Sequence, residues 1–517
     1  MSTGSDLTKN QETPTPAPGV HQADAHNAVK RIARAGSANL LGAGLSAVAN
    51  FVLVILITRL WDATTAGTLF ALTSLFLIAL ALSQLGVDQG LIRFLAWNAG
   101  RGQSGGNRRM ILSGILVALS LALVITALGV VFASQVAQFL VDAASVQAAE
   151  MLTVLAWALP VAATYELFLA VTRGLSKMKP TIVIERMVRP VLQVLAVLAV
   201  GLIGGNATTL ALAWSAPYAV GLCSVAAWLV VHRHALFRSD QAVTATSPRG
   251  DIREFWRFTI PRGLARLAQV GLQRSDIILV TIIAGPAIAT LYTAVSRFLA
   301  LGQLATAAIQ QVSEPQVAKL LSRNNHDGAR LVTRQLTLWS VILATPIYIT
   351  FVVFADVLLS TFFGESYVAG ADSLRILALA MLFAAAMGPM DMLLLMAGRS
   401  SLSLINTICA LIVDVVACLL LIPIWGATGA AVAWMGAIIV KNVLCYLQVQ
   451  RTLAISPFSR QGAIAITAIF VIFFILTSLA RWVFAENLMT DLLIVSGATL
   501  IYASCLWWRR DGLILKS

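Results

Sequence analysis

Charged side chains are scarce in this chain: Asp, Glu, Lys and Arg make up 11% of its 517 residues, against roughly 25% in an ordinary soluble protein. With 59% apolar residues and a mean hydropathy of +0.85, that scarcity excludes a water-soluble globule and leaves no room for a large soluble catalytic domain. Acid is scarcer than base, 23 residues against 36, for a net charge of +13. In a membrane chain this excess points to cytoplasmic loops before any nucleic-acid partner. Cysteine is sparse too. Cys223, Cys409, Cys418, Cys445 and Cys505 all fall in apolar stretches, with no CxxC pair and no His at ligand spacing. They read as small core residues, so neither a disulfide nor a metal centre is expected. There is no GxxxxGK[ST] loop, no HExxH and no Gly-x-Ser-x-Gly elbow. These absences argue against ATP-driven transport by this chain and against an enzyme, and no cofactor is expected.

What the chain has is long apolar runs. Residues 1–35 form a polar tail rich in Ala, Pro and Thr that cannot bury a core and is expected to be disordered and retained. A membrane helix consumes about 20 apolar residues, and on that measure spans fall near 36–58, 66–90, 110–132, 150–172, 183–204, 207–231, 257–283, 286–311, 333–355, 372–397, 400–423, 427–449, 461–483 and 489–508. The basic residues check this count of fourteen independently. Of the 36 Lys and Arg, 29 fall in the two tails and at the loops after even-numbered spans, and only Arg59 and Arg481 at loops after odd-numbered ones. Loops that stay in the cytoplasm retain Lys and Arg, so the expectation is a multi-pass protein of the cell membrane with both termini cytoplasmic.

The runs also hint at duplication. Ala66-Gly-Thr-Leu-Phe-Ala-Leu-Thr-Ser74 resembles Ile288-Ala-Thr-Leu-Tyr-Thr-Ala-Val-Ser296, 222 residues on, and Ala213-Trp214 matches Ala433-Trp434, 220 residues on. Nearly equal offsets in the same order suggest two parallel six-helix lobes. The expected organisation is a tail (1–35), an N-terminal lobe (36–231), a basic connector (232–256), a C-terminal lobe (257–449), and two additional helices with a cytoplasmic tail (450–517).

An ionised group at mid-bilayer costs at least about 2.5 kcal/mol, so the charges the spans tolerate carry the most information. In span 7, Arg262, Arg266, Gln269, Gln273 and Asp276 step by four, three, four and three residues. They form one polar stripe on one helical face, and that face cannot look at lipid. Pro261, just before Arg262, removes a backbone hydrogen bond and allows a kink. Arg262 and Arg266, with Arg274 and Arg297 of span 8, are candidates to line a cationic, water-filled cavity; alternatively Arg274 snorkels and Arg262 meets headgroups. Guanidinium forks suit phosphate, which makes a phosphate-bearing substrate the chemistry that best accounts for their burial. Arg93, Arg186 and Arg189 read as headgroup contacts near the cytoplasmic interface. Glu166 in span 4, Asp88 at the end of span 2, and Asp414 in span 11 are candidates for a coupling ion, proton or sodium, with Asp391 comparable to Asp414. An unpaired carboxylate at Asp414 would be neutral or hold a cation.

Several stretches resemble a known family: Arg34-Ala-Gly-Ser-Ala-Asn39 running into Thr58-Arg59-Leu60 and Ala66-Gly-Thr-Leu-Phe70, then Leu85-Gly-Val-Asp88-Gln-Gly-Leu-Ile-Arg93-Phe94, and Trp425-Gly-Ala-Thr-Gly-Ala-Ala-Val-Ala433. They are similar to the polysaccharide transporter branch of the MOP exporter superfamily, Wzx-like flippases of prenyl-pyrophosphate-linked sugars, over about residues 34–510. The resemblance implies a twelve-helix, two-lobed core with two extra helices, a V-shaped cavity and alternating access. It also implies a lipid-linked oligosaccharide as substrate for cell-envelope polysaccharide biosynthesis, membrane lipid around it, and an envelope polysaccharide polymerase as a protein partner. By position, Arg262 and Arg266 match the cationic residues that receive the pyrophosphate. A lipid II flippase and a cation-coupled multidrug antiporter of the same superfamily are the alternatives; the antiporter would favour acidic cavity residues.

Overall fold

The computed structural model describes residues 41–457 except 101–106, 142–144, 238–247 and 324, together with 473–475, 477–479, 482 and 497. Among the described residues every regular element is helical, as the long apolar runs require: in hydrocarbon a helix satisfies all its own backbone polar groups. The helices are α1 (Leu41–Leu60), α2 (Ala63–Gln84), α3 (Val87–Gly100), α4 (Asn107–Val131), α5 (Ala133–Leu140) and α6 (Ser145–Gly174). A π-helical turn (Thr181–Val188) leads into α7 (Arg189–Leu202), followed by α8 (Ala207–Phe237), α9 (Pro248–Ala284), α10 (Pro286–Ser322), α11 (His326–Val353) and α12 (Ala355–Phe362). After a 3₁₀ turn (Glu365–Gly370) come α13 (Ala371–Met387), α14 (Met390–Met396) and α15 (Ser400–Leu453).

Ten of these segments are long and apolar enough to cross a membrane. At 1.5 Å per residue a 54-residue α15 would run about 80 Å, far beyond a hydrocarbon core of about 30 Å. It turns at Gly426, which adopts φ 54°, ψ −126°, and so supplies two spans. The π turn with α7 supplies one more, for twelve among the described residues. The expected spans 461–483 and 489–508 fall almost wholly outside the described residues, as do the tail 1–35 and Cys505. The chain is an all-α integral membrane protein. Its lipid face is visible as bare apolar side chains, including Leu116, Leu123 and Leu128 of α4 and Ile412, Val416 and Leu420 of α15, a belt that water would not tolerate. Cys223 is exposed on this outside rather than packed in the core, while Cys418 and Cys445 are buried.

Several spans break where backbone geometry demands it. α2 ends at Leu85 (φ 44°) and Gly86 (φ 76°), so Asp88 and Arg93 belong to the separate α3. α13 stops at Gly388 (φ 72°, ψ −175°) ahead of Pro389, splitting the run expected at 372–397 into α13 and α14. α8 extends to Phe237 and α9 begins at Pro248, so both reach into the stretch 232–256. α9 continues through Pro261. The eight-residue helices α5 and α12 each follow a long helix and start 222 residues apart, at Ala133 and Ala355.

The end of the bundle carrying the loops after odd-numbered spans is the upper end here. Its seam is tight. A Cβ on Gly67 of α2 would lie 1.8 Å from the Pro286 carbonyl oxygen, and Thr290 Oγ1 donates to the Ala63 carbonyl at 2.6 Å. Arg59 reaches across to α12, donating to the Thr361 carbonyl at 2.9 Å and the Phe362 carbonyl at 3.2 Å. Below that clamp, Phe51 packs edge-on against Phe298 (5.1 Å between ring centres) and Phe362 (5.4 Å). Each such pair contributes about 0.5–1.5 kcal/mol beyond its buried area. Asp62 caps α2 by accepting from the Thr65 amide at 2.9 Å. Burial opposes its charge, but the hydrogen bonds from Thr65 outweigh it and hold the carboxyl below its ordinary range.

Candidate functional site

The site grows from α9. Its side chains at 262, 266, 269, 273 and 276 recur at helical spacing, and all five line internal cavities rather than the lipid face. Arg262, Arg266 and Gln269 border a lower cavity of about 200 Å³, whose other walls include Gln89, Asp391 and Ser403. Gln269 is shared with the next cavity up, of about 420 Å³, which Gln273, Arg274, Asp276, Arg297 and Lys441 also line. α9 comes this close to the N-terminal half because two glycines allow it: a Cβ on Gly86 would lie 2.4 Å from the Gly263 nitrogen.

Arg274 and Arg297 are shared in turn with a third cavity, also about 420 Å³, whose opposite wall is built by α1 and the π turn. There Asn50, Glu185, Arg186 and Arg189 face the two arginines, and Phe51 reaches the same cavity from the upper plug. Four guanidinium groups from four helical segments thus converge at the seam between the halves. The π turn matters here, because one extra residue per turn re-aims the side chains that follow it, and such turns recur at functional sites. Arg189 lies over the Tyr218 ring, 4.9 Å from its centre. Among the described residues, the Nε atoms of Arg189 and Arg297 are buried with no hydrogen-bond partner. A buried donor left unmade costs about 1–3 kcal/mol, which an anion in the cavity would remove.

The acids sit apart from that anion-facing wall. Asp276 accepts from Tyr292 Oη at 2.7 Å and from the Ile277 amide at 2.8 Å. Asp414, fully buried, accepts from Ser275 Oγ at 3.2 Å on one oxygen. Its other oxygen has no partner among the described residues, and Asp276 lies within its electrostatic reach. In the N-terminal half, Glu166 accepts from Gln84 Nε2 at 2.6 Å. Asp88 accepts from Gln89 Nε2 at 3.0 Å, leaving its other oxygen unpartnered.

The candidates therefore separate. Arg274, Arg297 and Gln273 meet in the larger cavities, Arg262 and Arg266 line the smaller one below, Gln269 joins the two, and Asp414, Glu166 and Asp88 lie in three different places. Sequence reasoning set aside Arg186 and Arg189 as headgroup contacts, yet they form one wall of the site. It also counted Lys441 among loop cations, although this residue lines the cavity and pairs with Asp391 at 3.4 Å. A signal for Lys441 existed: it is a lone cation inside Gly436-Ala-Ile-Ile-Val-Lys-Asn-Val-Leu444. Nothing in local composition announces the π turn.

The chain matches the family described as polysaccharide biosynthesis protein over residues 32–321, more than half of its length. It belongs to that family. A second match, to the MatE family, covers residues 261–420, and the two together put this polysaccharide biosynthesis protein in the Wzx-like branch of the MOP exporter superfamily. Solved structures agree on the fold. The lipid II flippase MurJ in an inward closed conformation superposes with a TM-score of 0.73 at 11% identity, over 91% of this chain and 98% of that one. An inward-facing multidrug resistance MATE family transporter gives 0.65 at 16% identity, over 82% and 95%. A MOP superfamily transporter from Pyrococcus furiosus, described as having a binding pocket of reverse polarity, gives 0.58 at 15% identity, over 81% and 95%. No curated protein matches by sequence. The family and fold are those of transporters.

Proposed function

We propose that this protein is a flippase that carries a prenyl-phosphate- or pyrophosphate-linked oligosaccharide across the cytoplasmic membrane. The observation that carries this reading is the convergence of Arg186, Arg189, Arg274 and Arg297 on one cavity at the seam between the halves. Guanidinium groups hold phosphate oxygens through charge-assisted, forked hydrogen bonds, and an anion among four of them is compensated where lipid would reject it. In this account the two halves are six-helix lobes, both termini are cytoplasmic, and the upper end faces out of the cell. The headgroup enters from the cytoplasmic side, passing Arg262 and Arg266 on α9 and moving along Gln269 to Arg274 and Arg297. The prenyl tail stays in lipid. Rocking of the lobes then breaks the upper seam and releases the headgroup outward. A proton or sodium ion at Asp414, which has a buried unpartnered oxygen beside Asp276, biases the cycle; Glu166 and Asp88 are the corresponding candidates in the other lobe.

A second reading, transport of lipid II, is favoured by the extent of the MurJ superposition. An organic-cation antiporter fits the cavity's charge poorly. In a strain lacking the protein, lipid-linked oligosaccharide should accumulate on the inner leaflet, and the wild-type gene should clear it. Accumulation of lipid II instead would select the second reading, and heightened sensitivity to cationic drugs alone would reject both.

A further inference from the structure

Besides the cavities lined by arginine, the C-terminal half encloses a pocket of about 260 Å³ of the opposite character. Its polar walls include Glu314 of α10, Tyr348 of α11, Asp391 of α14 and Asn442 of α15, and among its described lining residues there is no Lys or Arg. Lys441 points the other way, into the arginine cavity, so adjacent residues of α15 serve two compartments. The partition between them is a contact from Gln303 Nε2 to Met381 Sδ at 3.6 Å.

Three features give this pocket a preference for positive charge. α13 terminates into it at Gly388, and Ala384 and Ala385 of its last turn line the wall; the end carbonyls of a helix carry partial negative charge. Interrupted membrane helices hold cations by this means. Two carboxylates, Glu314 and Asp391, border the same space. Independently, Tyr348 is fully buried and its hydroxyl has no hydrogen-bond partner among the described residues, although it lines the pocket. Among the described residues no three His, Cys, Asp or Glu side chains gather as they would around a transition metal. Oxygen donors of mixed charge suit a hard cation instead.

We propose that this pocket binds one small monovalent cation, an alkali ion or ammonium, among Tyr348, Asn442, Glu314, Asp391 and the end of α13. Asp391 is contested. One of its oxygens is paired with Lys441 at 3.4 Å and the other accepts from Ser403 Oγ at 2.5 Å, so the bound cation shares the carboxylate with the Lys441 ammonium. The site is separate from Asp276 and Asp414 and does not rest on the headgroup reading.

The test is thermal unfolding of the full chain in lipid nanodiscs, titrated with sodium, potassium, lithium or ammonium against N-methylglucamine at constant ionic strength. One of the four should raise the melting temperature saturably. Tyr348→Phe, which removes one oxygen, should raise the half-saturating concentration about tenfold, with an unchanged melting temperature in N-methylglucamine reporting an intact fold. Lys441→Gln, which removes the competing cation, should lower it, a gain that misfolding cannot mimic. Asp276→Asn and Asp414→Asn should leave it unchanged, as should Arg274→Gln with Arg297→Gln, which tests the headgroup cavity alone. A response no better than that of N-methylglucamine would overturn the proposal. So would one indifferent to Tyr348→Phe and Lys441→Gln, or one abolished by the Asp276 and Asp414 changes.

Discussion

Changing Arg274 and Arg297 together to glutamine should weaken binding of a pyrophosphate-headed prenyl lipid by a factor of about 10² to 10⁴, while the protein still folds and inserts. The two arginines are shared by both larger cavities, so any headgroup that moves between them meets both. Hydrogen bonds to charged groups are worth about 1.5–3 kcal/mol each, and two lost together account for the predicted range. Glutamine keeps length and polarity, so the loss isolates charge. Arg189→Gln should cost less, because its guanidinium already lies over the Tyr218 ring and part of its charge is engaged there. The change at Arg262 and Arg266, on the lower cavity, should slow entry and leave equilibrium binding nearly intact. The check is titration of the purified protein in nanodiscs with a short-chain prenyl pyrophosphate. Undiminished affinity in the Arg274 and Arg297 double variant would remove the headgroup from this cavity.

Gly67→Ala should produce the largest conformational effect of any single methyl group in the chain. The new Cβ would sit 1.8 Å from the Pro286 carbonyl oxygen, where no side chain can yield because the obstacle is backbone. Overpacking of this kind costs about 1–3 kcal/mol, which moves an equilibrium between two arrangements by roughly 5- to 150-fold. The upper seam, held by Thr290 to Ala63 and by Arg59 to α12, would then spend most of its time apart. A cysteine at Ala63 should become reactive to a membrane-impermeant thiol reagent in the variant and stay protected in the parent. Transport should fall at least tenfold, since the cycle needs the closed seam. Wild-type transport with an unreactive cysteine would mean that the seam observed here is not a working state.

Much of this was legible in the residues. Apolar run length marked the spans, and the four-three stepping of span 7 put its polar stripe on one face, the face that lines the cavities. Period and hydropathy are local quantities, and they read well in a bilayer because lipid penalises every exposed polar group in the same way. What escaped them depended on contacts between distant segments. Arg186 and Arg189 look like the cationic start of a span. Only the π turn and the approach of α1 make them a cavity wall. Asp88 reads as the end of span 2, but the left-handed residues Leu85 and Gly86 move it to a new helix, and that break exists to admit Gly263 of α9. Lys441 lies near a helix end by count and in a cavity by packing.

The central claim is that negative charge on the headgroup, met by arginine, is what this protein moves. Its most direct measurement is flipping in proteoliposomes of two fluorescent lipids with the same sugar and the same prenyl tail, one joined through pyrophosphate and the other through an uncharged ether. The account predicts protein-dependent flipping of the pyrophosphate lipid, lost in the Arg274 and Arg297 double variant, and none above background for the ether lipid. Equal rates for the two lipids, or a pyrophosphate rate that survives the double variant, would contradict it.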